Sequence, residues 1–461
     1  MSERVHVVGI GGIGTSALAV ILAQAGAVVS GSEESRTILA GELLDQFPQI
    51  KVYQGYSPEH LDGVDQVIHS VAFRADNPEL AEARRRGIPV STYPQALSRF
   101  LARTEVCGVA GTHGKTTTTA MVAMAAEEAG LPVSYLVGAP MQGGRGNVRY
   151  TPGSPFVLEA DEYRGAFLEY ADRFAQLVIT NIDFDHPDYY PSQDAVEKAF
   201  SELLVHTPPG AQVFACGDSA GVQAVARVHD RIITYGLGPH NAVRVELAGL
   251  SDSGSAFTVA GAAYDRVRLR VGLPGRHNVL NATAAFLAAR ALGCPAGAIA
   301  TALEGYAGAR RRFEVRLSTP QAAVVDDYAH HPVAVAAFID GLRQRYPDRR
   351  LILVFQPHTL TRTLALFDDF VRVLRAPEQV AVLDVYAGRE LDDPAEPTQL
   401  AARLRTALRS QGVDVLAASE PSDVVTAVAE LASAGQPTVI GTVGAGDVWT
   451  TVTSPLTARL G

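Results

Sequence analysis

Val106-Cys-Gly-Val-Ala-Gly-Thr-His-Gly-Lys-Thr-Thr-Thr-Thr119 reads in order as an apolar strand, a glycine turn, a lysine and a threonine-opened helix. That order is the one a phosphate chain requires. Gly111 and Gly114 let backbone N–H groups turn inward around an anion, Lys115 supplies a mobile positive charge, and Thr116 offers a hydroxyl to Mg²⁺. Thr112, His113 and Thr117 complete the loop. Val109 stands where the full P-loop pattern has a glycine, so the form is the shorter Gly-Thr-x-Gly-Lys-Thr. A plain Gly/Thr-rich turn with a solvated lysine is the alternative. The segment that follows opposes it, because Thr117 to Gly130 reads as an Ala/Met/Val helix stopped by Gly130 and Pro132. A nucleoside triphosphate is the ligand these residues point to.

At 461 residues the chain exceeds one ordinary core, and length alone suggests about three domains. Its 47% hydrophobic and 19% charged residues are those of a folded soluble protein, and no run of 18 apolar residues exists to span a bilayer. Met1 to Arg4 lead directly into a strand, which is not how a signal peptide begins. Cys107, Cys216 and Cys294 are scattered without metal spacing, so a reduced, cytoplasmic setting is expected. A net charge of −10 without a basic tract argues against a nucleic-acid surface. Nothing in the sequence signals an oligomeric state.

Val5-His-Val-Val8, then Gly9-Ile-Gly-Gly-Ile-Gly14 and a helix to Gly26, form a further strand, glycine turn and helix, and a second strand ends at Glu33. Alone, this Gly-x-Gly-x-x-Gly turn suggests a dinucleotide-binding dehydrogenase, or a glycine turn needed only for close packing. Polar residues follow two central strands, Glu159, Asp161 and Glu162 after one, and Asn181, Asp183, Asp185 and His186 after the other. Open α/β sheets place ligands there. After Arg310-Arg-Arg-Phe313, strands at Ala322 to Val325, Leu351 to Phe355, Val380 to Val385 and Pro437 to Thr442 alternate with helical runs, which predicts another parallel sheet.

Taken in order, Gly9 to Gly14, Gly111 to Thr117, Glu159-Ala-Asp-Glu162, Thr180-Asn-Ile-Asp-Phe-Asp-His186 and Pro274-Gly-Arg-His-Asn-Val-Leu-Asn281 form a series. Arg311-Arg-Phe313, Asp326-Asp-Tyr-Ala-His-His-Pro332, Phe355-Gln-Pro-His358 and Gly444-Ala-Gly-Asp447 complete it. With these motifs the chain resembles the Mur ligase family over residues 5 to 447. The resemblance implies an α/β protein of three domains: residues 1–102, Rossmann-like, for a UDP-sugar; 103–312, a P-loop ATPase with a mixed sheet; and 313–461, Rossmann-like, for nucleotide and amino acid. It implies an ATP- and Mg²⁺-dependent ligase that joins L-alanine to the carboxylate of UDP-N-acetylmuramate, the first amino-acid addition in peptidoglycan precursor synthesis. The same resemblance puts the uridine diphosphate, rather than NAD, against Gly11, Gly12, Ile13 and Gly14, with Ser70 nearby.

Joining a carboxylate to an amine in water requires a better leaving group than oxide, and ATP provides one by forming an acyl phosphate. Such a site needs clamps on the γ-phosphate, metal ions on its oxygens, donors over the oxyanion and exclusion of water. Lys115 is expected to bridge the β- and γ-phosphates and Thr116 to hold Mg²⁺. By resemblance, Glu159 and His186 also reach magnesium, although a histidine after a strand is by itself more often a capped turn residue. Asn278 and Asn281 are spaced to read adenine, N-capping by Asn278 being the alternative.

Arg312 and Asp326 resemble family residues that meet phosphate and ribose, with Arg311 taken as solvated. His330 is placed by resemblance near the reacting carbonyl, as a cationic or donor imidazole on the oxyanion, and His113 toward the muramate carboxylate. Arg362 is left for the amino-acid carboxylate, because Thr359 and Leu364 replace two arginines that many relatives carry. Glu159-Ala-Asp-Glu-Tyr-Arg-Gly165 is a second departure from the commoner family pattern. Lys198 stands near where some relatives use a carbamylated lysine, against the plainer reading of a helix-surface lysine. Lys115→Ala is expected to abolish turnover and leave folding intact. The rival readings are a ligase for another amino acid or a tripeptide, a nucleotide-driven binding protein, and an NAD-dependent oxidoreductase that would leave the P-loop unexplained.

Overall fold

The computed structural model describes residues 2–71, 73, 76–261, 264–388, 390 and 393–461. Three sheets organise the chain. The first holds β1 (Arg4–Val8), β2 (Val28–Glu33), β3 (Lys51–Gln54), β4 (Gln66–His69) and β5 (Val90–Thr92) in the order β3-β2-β1-β4-β5. Every pairing in it is parallel. This is the order of a Rossmann-like sheet. Its connecting helices are delimited locally: Asn77 Oδ1 accepts the N–H groups of Glu79 and Leu80 to open Pro78–Arg86, and Gly87, at φ 70°, ends it.

The second sheet contains β6 (Val106–Ala110), β7 (Ser134–Leu136), β8 (Val148–Arg149), β9 (Phe156–Glu159), β10 (Phe174–Ile179), β11 (Gln212–Cys216) and β12 (Ile232–Gly236), in the order β12-β11-β10-β6-β9-β7-β8. All these pairs are parallel except β7 with β8. β6 is buried along its whole length, and its continuous apolar run is the mark of a strand covered on both faces. β13 (Val243–Ser251), β14 (Gly254–Gly261) and β15 (Tyr264–Val271) are neighbours in that order, and β14 and β15 pair antiparallel.

The third sheet orders β16 (Glu314–Ser318), β17 (Ala322–Asp327), β18 (Arg350–Phe355), β19 (Gln379–Val382) and β20 (Thr438–Val443) as β16-β17-β20-β18-β19. The four strands expected to be parallel are parallel, and β16, which the sequence did not mark, adds an antiparallel edge to them. Residues 319–321 give only a tight return from β16 to β17, too short for the crossover a parallel pair requires. Apolar residues cover both faces, with Phe338, Leu342, Leu353 and Phe370 on one and Val324, Ile352, Val428 and Ile440 on the other.

The chain divides into two compact units: Met1–Ile182, Glu197–Val243 and Ala282–Leu303 make one, and Asp183–Val196, Arg244–Asn281 and Glu304–Gly461 the other. No helix among the described residues is long and apolar enough to cross a membrane. All three cysteines are free and buried.

Candidate active site

In the first unit the loop after β6 is shaped by two glycines. Gly111 has φ 130°, and a Cβ there would lie 2.1 Å from Thr180 Oγ1, so both conformation and space demand glycine. Gly114, at φ 84°, opens the helix Lys115–Glu128. The neighbouring strand fixes the loop between them. Thr180 Oγ1 and Asn181 Nδ2 donate to His113 O at 2.6 and 2.9 Å, and the His113 N–H donates to Asn181 Oδ1 at 2.9 Å. Thr180 and Asn181 follow β10, which pairs with β6; the sequence marked both within a motif but not their bracing of this loop.

Lys115 Nζ donates to Gly111 O at 2.6 Å, to Thr112 O at 3.2 Å and to Glu162 Oε2 at 2.6 Å. Burial works against the ammonium, but the carboxylates of Glu162, Asp161 and Glu159 outweigh it and hold its pKa above the ordinary lysine value. Glu162, 2% exposed, is thus the lysine's counter-ion, a role the motif around it did not declare. Thr116 Oγ1 donates to Glu159 Oε1 at 2.9 Å, while the Gly138 N–H donates to Glu159 Oε2 at 2.6 Å. Register explains the meeting. Val109 of β6 stands opposite Glu159 of β9, which delivers the carboxylate to the mouth of the loop. The expected pair of oxygen ligands, Thr116 and Glu159, is therefore assembled, and Thr117 is buried behind it.

The turn after β1 is also built closely. Thr15 Oγ1 donates to Gly9 O at 2.6 Å, the helix begins at Ile13, and a Cβ at Gly11 would lie 2.6 Å from Glu33 Cγ. Gly12 and Gly14 flank the first helical residue, so N–H groups at this helix start face outward from β1. Ser70 follows β4 and donates its N–H to Val8 O at 3.3 Å, which ties that loop to the end of β1.

The second unit contains its own polar cluster. Arg362 Nε donates to Asp185 Oδ1 at 2.7 Å, and Arg362 Nη1 stands 3.3 Å from His358 Nδ1. His330 Nε2 is 3.9 Å from Asp185 Oδ2. Burial would raise the Asp185 carboxyl, but the Arg362 guanidinium beside it holds it well below the usual carboxylate range. His186 takes φ 56° and donates its N–H to Asp185 Oδ1 at 2.7 Å. His331 caps the helix Pro332–Arg345 by accepting from the Val333 N–H and ties it to Phe184 O at 3.0 Å.

Four readings of the sequence are revised here. His330 is not a cationic donor: burial and the Arg362 charge hold it well below the usual imidazole value, and its Nδ1 donates to Tyr328 O at 3.0 Å, which leaves Nε2 as an acceptor. Arg311 is not solvated. It is buried, with Nε donating to Asp326 Oδ2 at 3.1 Å and its other nitrogens to Gly444 O at 2.6 Å and Gly446 O at 3.2 Å. Asp326 Oδ1 also accepts from Thr442 and Thr453, so this carboxylate, expected on ribose, joins β17, β20 and the segment Trp449–Thr453. Arg312 stays half-buried, its guanidinium 5.0 Å from the Tyr328 ring centroid. Asn278 is no N-cap, because the helix already starts at Arg276; its Nδ2 donates to Pro274 O at 2.7 Å and its Oδ1 accepts from Asn281 Nδ2 at 3.3 Å. Lys198 is exposed on the helix Gln193–His206, as a surface lysine would be.

Known proteins share this arrangement along the whole chain. Residues 4–105 match the family described as "Mur ligase family, catalytic domain", 109–289 "Mur ligase middle domain", and 311–446 "Mur ligase, glutamate ligase domain". A UDP-N-acetylmuramate--L-alanine ligase of Paenarthrobacter aurescens is 38% identical over 450 residues, covering 96% of this chain and 94% of that protein. One from Desulfitobacterium hafniense is 34% identical over 454 residues, covering 97% and 98%. The crystal structure of the UDP-N-acetylmuramate-alanine ligase MurC from Thermotoga maritima superposes with a TM-score of 0.81 at 26% identity, covering 99% of this chain and 98% of that one. By its sequence relatives and by its fold, the chain belongs to the Mur ligase family.

Proposed function

We propose that this protein uses ATP to join L-alanine to the carboxylate of UDP-N-acetylmuramate in the cytoplasm. The observation that carries the reading is the assembly on one loop of Lys115, Thr116 and Glu159, in a chain whose full-length relatives are named for that reaction. In the proposed chemistry a carboxylate oxygen of the sugar attacks the γ-phosphorus, ADP leaves, and the resulting acyl phosphate is attacked by the amine. The tetrahedral intermediate then expels inorganic phosphate, and the amine nitrogen loses a proton. Lys115 is the group that follows charge on the β- and γ-phosphates, exchanging its contact with Glu162 for the phosphate oxygens. Thr116 and Glu159 offer the hard oxygens Mg²⁺ prefers, with His186 as a further ligand, and the ion would neutralise phosphate charge.

The remaining assignments follow the same reading. Gly11, Gly12, Ile13, Gly14 and Ser70 hold the uridine diphosphate, Asn278 and Asn281 the adenine, and Arg312 a phosphate. Arg362 orients the amino-acid carboxylate, Asp185 holds that guanidinium in place, and His113 lies toward the muramate carboxylate. His330, neutral with Nε2 as an acceptor, suits receiving the proton of the incoming amine better than it suits an oxyanion donor. Functional boundaries at 1–102, 103–312 and 313–461 fit the three sheets.

Purified protein should release ADP only when UDP-N-acetylmuramate and L-alanine are both present. Hydroxylamine in place of the amine should trap a hydroxamate from UDP-N-acetylmuramate and ATP. Release of ADP without the sugar, or no hydroxamate, would refute the ligase. A panel of amino acids tests the acceptor, since Thr359 and Leu364 leave Arg362 as the guanidinium of its run; preference for glycine or serine would refute L-alanine.

A further inference from the structure

Beneath the first sheet lies a cluster that no part of the proposed reaction uses. His6 on β1 and Glu79 in the first turn of Pro78–Arg86 are fully buried, and His60, on the short helix Pro58–Leu61, is 15% exposed at its side chain. The three ligand atoms all lie within 4.8 Å of one another. His6 Nε2 is 3.4 Å from Glu79 Oε2, and His60 Nδ1 is 2.6 Å from Glu79 Oε1.

Two features set this cluster apart from an ordinary ion pair. Glu79 is a buried carboxylate, yet among the described residues no lysine or arginine stands within 4.0 Å of it. Hydrogen bonds from the Ser32 hydroxyl and the Ser57 N–H supplement the imidazoles. A carboxylate this deeply buried, with two imidazoles and no lysine or arginine beside it, makes a donor set that a cation completes. The second feature is outer support. Ser30 Oγ lies 2.9 Å from His6 Nδ1 and turns Nε2 toward Glu79, while the His60 ring stacks on Tyr53 at 3.9 Å between centroids. Metal-bound histidines are held by contacts like that of Ser30, on the ring nitrogen that does not ligate, and the Tyr53 ring fixes the plane of His60.

We infer that His6, His60 and Glu79 form a structural site for a divalent transition cation, with Zn²⁺ the best match. Two imidazole nitrogens, borderline donors, with one carboxylate oxygen make a set that suits Zn²⁺ over Mg²⁺. Tetrahedral Zn²⁺ ligands sit about 3.3 Å apart; His6 Nε2 and Glu79 Oε2 already stand at 3.4 Å, and His60 Nδ1, hydrogen-bonded to Glu79 Oε1 at 2.6 Å, would exchange that bond for the ion. Ser32 Oγ, 3.3 Å from His6 Nε2, or a water takes the fourth position. The ion would clamp the helices Pro58–Leu61 and Pro78–Arg86 to β1. The site is distinct from Thr116 and Glu159, and the inference stands whether or not the proposed ligase reaction is right.

The test uses full-length protein stripped with a chelator, then titrated with Zn²⁺ in excess Mg²⁺, with bound zinc and Tm both measured. One equivalent of zinc should remain after dialysis and raise Tm, and Co²⁺ in its place should give the visible absorption of a tetrahedral site. His60→Ala should abolish the absorption and the Tm response. Ser30→Ala, which removes only the support on His6, should weaken Zn²⁺ binding by about 10- to 100-fold. Glu159→Gln should keep the equivalent. Less than one equivalent in the parent protein, zinc affinity unchanged in Ser30→Ala or His60→Ala, or loss of the equivalent in Glu159→Gln would overturn the site.

Discussion

Removing Lys115 leaves the Glu162 carboxylate buried without its cation, so the expectation that Lys115→Ala spares the fold needs revision. Breaking one side of a buried pair typically costs about 3–5 kcal/mol. Lys115→Ala should therefore lose turnover and also lower the urea midpoint, whereas adding Glu162→Gln should restore much of the midpoint and none of the turnover. Histidine titration gives a second residue-scale outcome. Burial and the Arg362 charge lower the His358 pKa to about 4, below the ordinary 6.5. The unfolded chain binds this proton first, so the stability contributed by a neutral His358 is complete above about pH 6.5 and declines as pH falls toward 4. An NMR titration of His358 should show no midpoint between pH 5 and 8; a midpoint near 6.5 would contradict its burial beside Arg362. At the amino-acid end, Asp185→Asn removes the charge that holds Arg362 and should raise KM for L-alanine more than it lowers kcat. Lys115, Thr116 and Gly111 were legible as a phosphate loop because their spacing is local. Glu162, Asn181 and Asp185 acquired roles only through partners 47, 68 and 177 positions away.

At the scale of elements, the phosphate loop depends on the strand beside it as much as on its own residues. Gly111→Ala would place a methyl against Thr180 and hold alanine at φ 130°, and a loss of more than about 2 kcal/mol in folding stability is expected from strain of that kind. Thermal unfolding with and without nucleotide checks both the fold and the loop. Glycine turns, capping residues and continuous apolar runs made β1, β6, β10 and the parallel strands of the third sheet readable. β16 escaped because Glu314-Val-Arg-Leu-Ser318 is a short edge strand with mixed polarity, and its pairing is decided by β17 rather than by its own pattern. Arg311 was misread for a related reason: a run of three arginines looks solvated until the backbone, at φ 59° for Arg311, turns one of them inward to Asp326.

For the whole molecule, binding to the native state should appear as stability. A nucleotide present at 100 times its Kd adds about 2.7 kcal/mol, and Lys115→Ala should reduce that increment in a Tm shift assay. Because Cys107, Cys216 and Cys294 are buried and free, reductant should leave Tm unchanged. The sequence by itself determined the α/β class, the two glycine turns and the order of motifs, since each rests on contacts between residues close along the chain. Tertiary structure alone decided that the chain condenses into two compact units from interleaved segments, that Asp326 locks to Arg311, and that Glu162 faces Lys115. Those outcomes depend on strand register and on which buried charge finds which partner. Neither is encoded in local spacing, because a buried charge is satisfied by whatever the fold brings to it.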